Sequence, residues 1–72
     1  MRPVTYKGFR LEVTRYEGWT MGSAIRVSDG WELVDECTED MYMKDMMIDL
    51  KLYVDDFYVN PGDYDAPGWQ GG

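Results

Sequence analysis

The chain has 72 residues, of which 7 are Lys or Arg and 14 are Asp or Glu, so its formal net charge is −7. This length allows one small domain, and the acidic balance disfavours direct binding to nucleic acid, whose phosphates would repel it. No apolar stretch reaches the roughly 18 residues of a membrane-spanning helix, and the single Cys37 cannot form an internal disulfide. We therefore expect a protein of the cytoplasm, a reducing compartment, without a membrane segment.

Residues 4–16 carry the alternating pattern of a strand with one buried face. Phe9, Leu11 and Val13 are apolar and the residues between them are polar, which is a period of two. Gly8 interrupts this pattern and indicates a bulge or a strand start. Residues 17–22 contain two glycines and predict a loop, in which Trp19 either folds onto the core or stays exposed.

The next segment predicts a hairpin, because the pair Asp29-Gly30 separates two apolar runs, residues 24–27 and 31–35. A three-residue loop at 28–30 puts the apolar side chains of both runs on one face, and register follows that face. The predicted pairs are Val27 with Trp31, Ile25 with Leu33 and, on the other face, Arg26 with Glu32.

A helix is predicted after the hairpin. Thr38 is a suitable N-cap, and acidic residues follow it in the first turn, where they suit the helix dipole. The helix is expected to run to about Asp56, and Asn60-Pro61-Gly62 stops it.

Together these elements predict an α+β fold: a three-stranded antiparallel meander with one C-terminal amphipathic helix across its apolar face. This βββα domain covers residues 1–57, and residues 58–72 form an irregular tail rich in Pro and Gly. The expected core consists of Phe9, Leu11, Val13, Ile25, Val27, Trp31, Leu33, Met43, Met46, Met47, Leu50, Tyr53, Val54 and Phe57.

Catalysis is not expected from this composition. The chain has no His to act as a base near neutral pH, and Cys37 lies among acids that weaken its thiolate. Phosphate-binding loops and zinc-site spacings are absent from the sequence. We expect no enzyme activity, no metal site and no cofactor.

The acidic helix is the strongest candidate for a functional surface. Asp45, Asp49 and Asp56 fall on one side of the helical wheel, away from the apolar stripe, and form a row of carboxylates. Such a row can occupy the basic groove of a nucleic-acid-binding protein. The alternative interpretation is an ordinary solvated helix face. The candidate site also includes Glu39, Asp40 and Asp55.

An apolar strip accompanies these carboxylates. Met41, Ile48 and Leu52 fall opposite the core stripe and between the acids, which is typical of an interface core with a polar rim. The alternatives are a cover formed by the tail, through Tyr64 or Trp69, and self-association of this small chain.

The size of the chain, its acidic run from Asp35 to Asp56 and the lack of active-site residues resemble small phage-encoded inhibitors, such as anti-CRISPR proteins and other DNA mimics. The resemblance implies a protein in the host cytoplasm that binds a nucleic-acid-processing complex and blocks it. The sequence therefore predicts a non-catalytic inhibitor whose acidic helix docks on a basic protein surface. The alternative function is a small structural or assembly module that acts as a homodimer or as a subunit of a larger complex.

Overall fold

The computed structural model describes residues 1–68 and confirms the α+β class. The strands are β1 (Val4–Tyr6), β2 (Phe9–Tyr16), β3 (Trp19–Arg26) and β4 (Glu32–Glu39), followed by the helix α1 (Met43–Val59) and a 3₁₀ turn (Pro61–Asp63). All neighbouring strands are antiparallel and lie in the order β1-β2-β3-β4. The sheet therefore has four strands, and the predicted count of three was wrong.

Two tight turns explain the extra strand. Lys7 and Gly8 have φ values of 49° and 83°, and Glu17 and Gly18 have the same pair of values. Two successive positive φ angles are the signature of a type I′ hairpin turn, which matches the right-handed twist of the strands. The first turn divides the predicted strand 4–16 into β1 and β2. The second replaces the predicted six-residue loop, so that Trp19 begins β3 rather than standing at a loop tip.

The β3–β4 connection is longer than predicted. The backbone N–H of Arg26 donates to the carbonyl of Trp31 at 2.7 Å, and residues 27–30 form the loop between them. Asp29 holds this loop by accepting hydrogen bonds from Arg26 Nε at 2.8 Å and from the backbone N–H of Trp31 at 3.1 Å. The predicted pairing of Arg26 with Glu32 was wrong because Arg26 is bound to Asp29 instead.

A register shift between Ala24 and Ile25 changes the pairing near the loop, where Ile25 lies opposite Glu32 and not opposite Leu33. The predicted pairs of Val27 with Trp31 and Ile25 with Leu33 were therefore wrong. Val27 is a loop residue and 63% exposed, and Ile25 is only half-buried, on the face away from the helix.

The face of β3 that meets the helix carries small residues: Thr20, Gly22 and Ala24, all buried. Gly22 permits the closest approach, since a Cβ built there would lie 2.6 Å from Cγ of Met46 and 3.2 Å from Cδ1 of Leu50. The core consists of Phe9, Leu11, Val13, Ala24, Met46, Met47, Leu50, Val54 and Phe57. Three other predicted members, Trp31, Leu33 and Met43, pack against it while half-buried, and Tyr53 is exposed.

The helix begins and ends later than predicted. Thr38 lies in β4 opposite Thr20, so the chain is still extended at the predicted cap. Asp40 follows with a left-handed φ of 59°, and the helix begins at Met43. Its end at Val59 leaves residues 60–68 of the predicted tail, which hold the 3₁₀ turn and pack Tyr64 and Ala66 against the core. Residues 69–72, including Trp69, lie outside the described part of the chain.

Candidate functional site

The helix α1 has an apolar stripe on the side away from the sheet. Ile48, Leu52 and Val59 follow one another at spacings of four and seven residues, which places them on one face of a helix. Their exposed fractions are 55%, 59% and 75%. We call these three residues the outer stripe. The exposure predicted for Ile48 and Leu52 is observed, whereas Val59 was missed because the helix was expected to end before it.

Met41 does not belong to the outer stripe, contrary to the prediction. It precedes the helix, is half-buried and packs against the core. Its carbonyl accepts a hydrogen bond from the buried Thr20 hydroxyl. Met41 thus fixes the β4–α1 connection to the sheet.

The acids Asp45, Asp49 and Asp56 border the outer stripe on one side, at helical spacings of four and seven residues. We call these three residues the acidic flank. The salt bridges found among residues 1–68 use Asp29, Asp55 and Glu12, so none of them neutralises this flank.

The remaining predicted acids lie elsewhere. Asp55 is on the opposite side of the outer stripe, where Lys7 Nζ approaches it at 2.7 Å and the Tyr6 hydroxyl donates to it at 2.9 Å. Hydrogen bonding to Lys7, supported by Tyr6, lowers the pKa of Asp55. Glu39 ends β4 opposite Trp19, and Asp40 lies in the following turn, so the prediction that they are helical was wrong.

A cleft of about 290 Å³ opens beside the acidic flank. It is lined by Asp49, Leu52, Tyr53, Asp56 and Tyr64. Tyr64 comes from the segment after the 3₁₀ turn, and its ring packs against Phe57 with centroids 5.8 Å apart. Residues 60–68 of the tail thus build one wall of the cleft and leave Ile48 and Leu52 exposed, and Trp69, the other predicted cover, lies outside the described part of the chain.

Hydrogen bonds fix the orientation of Asp56 at this cleft. The Tyr64 hydroxyl donates to one carboxylate oxygen, and Asn60 Nδ2 donates to the other at 3.1 Å. The bond to Tyr64, with that to Asn60, lowers the pKa of Asp56, and the same bond raises the pKa of Tyr64 to about 12. Asp56 is therefore held as a carboxylate at neutral pH. The sequence predicted Asp56 as a site residue and Tyr64 only as a possible cover of the apolar strip. The contact between them was missed because it depends on the turn at Pro61.

A further acid, Glu36, lies close to the acidic flank. It is on the helix-facing side of β4, opposite Gly22, and its Oε2 is buried without a hydrogen-bond partner among residues 1–68. Burial, and then the charge of Asp49, raises the pKa of Glu36. The negative charge thus extends from the helix onto the edge strand of the sheet.

Residues 1–68 contain neither a cluster of metal ligands nor a helix that could span a membrane. No three side chains of Cys, Asp or Glu come together there in a way that would hold a metal ion. The helix is not long and apolar enough to cross a membrane.

Comparison of the chain with protein-family models, with curated proteins and with solved structures found no match.

Proposed function

We propose that this protein is a non-catalytic inhibitor that docks the outer stripe and the acidic flank of α1 onto a basic protein surface. One observation carries the proposal: Ile48 and Leu52 are each more than half exposed in the middle of α1, directly beside carboxylates that no cation of residues 1–68 neutralises. An apolar centre with a charged rim is the usual composition of a specific interface.

The charge pattern favours a nucleic-acid-binding surface as the target. Asp45 and Asp49 are one four-residue step apart, which is about 6 Å along a helix, and the chain as a whole is strongly acidic. A regular row of negative charge competes with nucleic acid for the same basic groove and gains the same long-range attraction. The proposed docking therefore agrees with the resemblance to phage-encoded DNA mimics. We expect the affinity for the partner to fall as the salt concentration rises.

The test is affinity capture from a host lysate, with three versions of the full chain compared side by side. The wild type is compared with Asp49→Lys/Leu52→Lys, which changes the docking face, and with Glu12→Lys/Thr14→Lys, which makes the same change in net charge on the face of the sheet opposite the helix. Far-ultraviolet circular dichroism establishes that all three fold. We expect a nucleic-acid-binding protein that the wild type and the sheet variant retain, that the helix variant loses, and that elutes with salt.

The proposal fails if the captured protein binds the helix variant as well as the wild type, or if only the sheet variant loses it. The second outcome would favour the other candidate function, an assembly module that uses the sheet. A specific observation supports that candidate, since Trp19 on this face is 44% exposed. Sedimentation at micromolar concentration tests it: a homodimer that Trp19→Ser dissociates would favour assembly, and a monomer would remove the homodimer.

A further inference from the structure

We propose that the cleft between α1 and Tyr64 is a binding site for the guanidinium group of an arginine side chain. For its natural ligand the inference rests on the proposed function, because the arginine would project from the basic surface of the partner. The cleft itself is a property of this chain and can be tested without the partner.

The walls of the cleft suit a flat, weakly hydrated cation. Tyr53 and Tyr64 supply aromatic rings, and Leu52 supplies an apolar surface between the two acids. Guanidinium is planar and stacks on aromatic rings, and it stays charged when its two faces contact apolar groups. The arginine stem has a hydrocarbon surface that can rest on Leu52.

The charges at the cleft select a cation. Asp49 and Asp56 both line it, and hydrogen bonds from Tyr64 and Asn60 hold Asp56 in one orientation. A fixed carboxylate is the acceptor that the rigid fork of arginine N–H donors recognises. The donors that hold Asp56 are neutral, so its negative charge remains available to a ligand.

Four of the protein's own cations near α1 have contacts away from the cleft. Lys44 Nζ lies 5.8 Å from the ring centre of Tyr42, at the start of the helix. Lys7 binds Asp55 at 2.7 Å, and Lys51 lies 5.6 Å from the ring centre of Tyr6, on the β1 side of the helix. Arg26 binds Asp29 in the β3–β4 loop. The salt bridges of residues 1–68 do not reach Asp49 or Asp56, so both carboxylates can accept a cation from another molecule.

Glu36 is close enough to Asp49 to report on a cation bound in the cleft. Its buried oxygen has no hydrogen-bond partner in residues 1–68, and its pKa is raised by burial and by the charge of Asp49. The repulsion between Glu36 and Asp49 weakens when a cation binds to Asp49 in the cleft. A bound guanidinium should therefore lower the pKa of Glu36, although Glu36 does not line the cleft.

The size of the cleft agrees with one side chain rather than a larger ligand. Its volume of about 290 Å³ is at the lower end of the roughly 300–1,000 Å³ that pockets for drug-sized ligands occupy. We therefore expect weak binding of the isolated group and a larger effect where a partner presents it within an interface.

The experiment is a titration of the full 72-residue chain, labelled with ¹⁵N and ¹³C, followed by NMR. The probes are N-acetyl-arginine methylamide, its lysine counterpart, and the citrulline counterpart, which replaces guanidinium by a neutral group of the same shape. We expect the arginine probe to shift the signals of Leu52, Tyr53 and Tyr64 and to lower the pKa of Glu36. The lysine probe should bind more weakly, and the citrulline probe should leave these signals in place.

Two variants locate the site. Asp49→Asn removes a carboxylate that lines the cleft and should weaken binding of the arginine probe by about twofold to fivefold. Asp45→Asn removes a carboxylate of the same flank, one turn away, and should leave binding unchanged. The inference is wrong if the citrulline or lysine probe binds as well as the arginine probe, or if both variants weaken binding equally, since these results show no guanidinium site or only diffuse attraction.

The results separate this inference from the proposed function. If the arginine probe binds the cleft while helix-face variants do not affect capture of any protein, the cleft exists and the docking proposal fails. If a captured partner depends on the outer stripe but the arginine probe does not bind, docking stands and the cleft is not its arginine site.

Discussion

A methyl group added at Gly22 should test whether the helix packs as closely on β3 as the structure indicates. In Gly22→Ala the new Cβ would lie 2.6 Å from Cγ and 2.8 Å from Sδ of the fully buried Met46. These atoms are in the middle of the Met46 side chain and cannot move away without disturbing its neighbour Leu50. Overpacking of this kind costs about 1–3 kcal/mol, and replacing a glycine whose backbone conformation Ala can adopt returns about 0.4–1 kcal/mol.

The middle of these two ranges gives a net loss of about 1.3 kcal/mol of unfolding free energy for Gly22→Ala, which corresponds to a fall in Tm of about 5–10 °C for a domain of this size. Thermal and urea unfolding followed by circular dichroism measure it. Gly62→Ala is the matched control, because nothing lies within 4 Å of its added Cβ, and it should stay within about 0.5 kcal/mol of the wild type. A Gly22→Ala protein as stable as wild type would refute the close packing of α1 on β3.

Three further changes probe the charges that surround the helix. Glu36→Gln should raise the melting temperature at pH 7 and not at pH 3. A carboxyl whose pKa is raised in the folded state stabilises the fold at pH values below its ordinary pKa and loses that contribution as the pH rises. Glu32→Gln, at an exposed position of the same strand, is the control in the same thermal unfolding experiments. Tyr64→Phe should raise the pKa of Asp56, measured by ¹³C NMR, and an unchanged pKa would contradict the hydrogen bond. The substitution should lower the unfolding free energy at neutral pH but not in acid, because a carboxyl with a lowered pKa stabilises the fold only while the carboxyl is ionised. Lys7→Gln removes an exposed ion pair between the first turn and α1 and should lower stability slightly at low salt and not at 1 M salt, so an effect independent of salt would contradict an electrostatic role.

The class of the fold and most of the helical core were predictable because they depend on local periodicity. The alternation at Phe9, Leu11 and Val13 is set by the pleat of one strand. The five buried residues of α1 were all predicted, since they recur at helical spacing whatever the exact ends of the helix. The start of the helix, by contrast, depended on whether Thr38 caps a helix or pairs with Thr20 in the sheet, and the tertiary pairing prevailed.

The buried face of β3 was not predictable from hydrophobicity. The prediction chose Ile25 and Val27 as core residues because a three-residue loop puts them on one face with Trp31 and Leu33. The structure instead buries Thr20, Gly22 and Ala24, whose small size lets the helix approach. The loop held by Arg26 and the register shift beside Ile25 decide the pairing, and neither has a reliable local signal.

The outer stripe was predictable in part and the cleft was not. The helical wheel places Ile48 and Leu52 opposite the core without any knowledge of the sheet. The neutralisation of Asp55 depends on Lys7, which is 48 positions earlier in the chain, and the wall formed by Tyr64 depends on the turn after Asn60. Contacts between residues so far apart in sequence depend on the topology. A helical wheel therefore cannot distinguish Asp55, which pairs with Lys7, from the carboxylates that have no ion pair.

The strands packed beside α1 increase the difference in charge between the two sides of the helix. On one side, the β1–β2 hairpin brings Tyr6 and Lys7 against α1. Lys7 neutralises Asp55 by an ion pair, and Tyr6 donates a hydrogen bond to it. On the other side, the edge strand β4 brings the acid Glu36 and not a base, so the field of Asp49 is reinforced. A basic partner that approaches α1 is therefore attracted toward the β4 side of the outer stripe, where the cleft also lies. The proposed docking would then be oriented in part by the order of the strands, and exchanging the charges of Lys7 and Glu36 should weaken the preference of a basic surface for the β4 side.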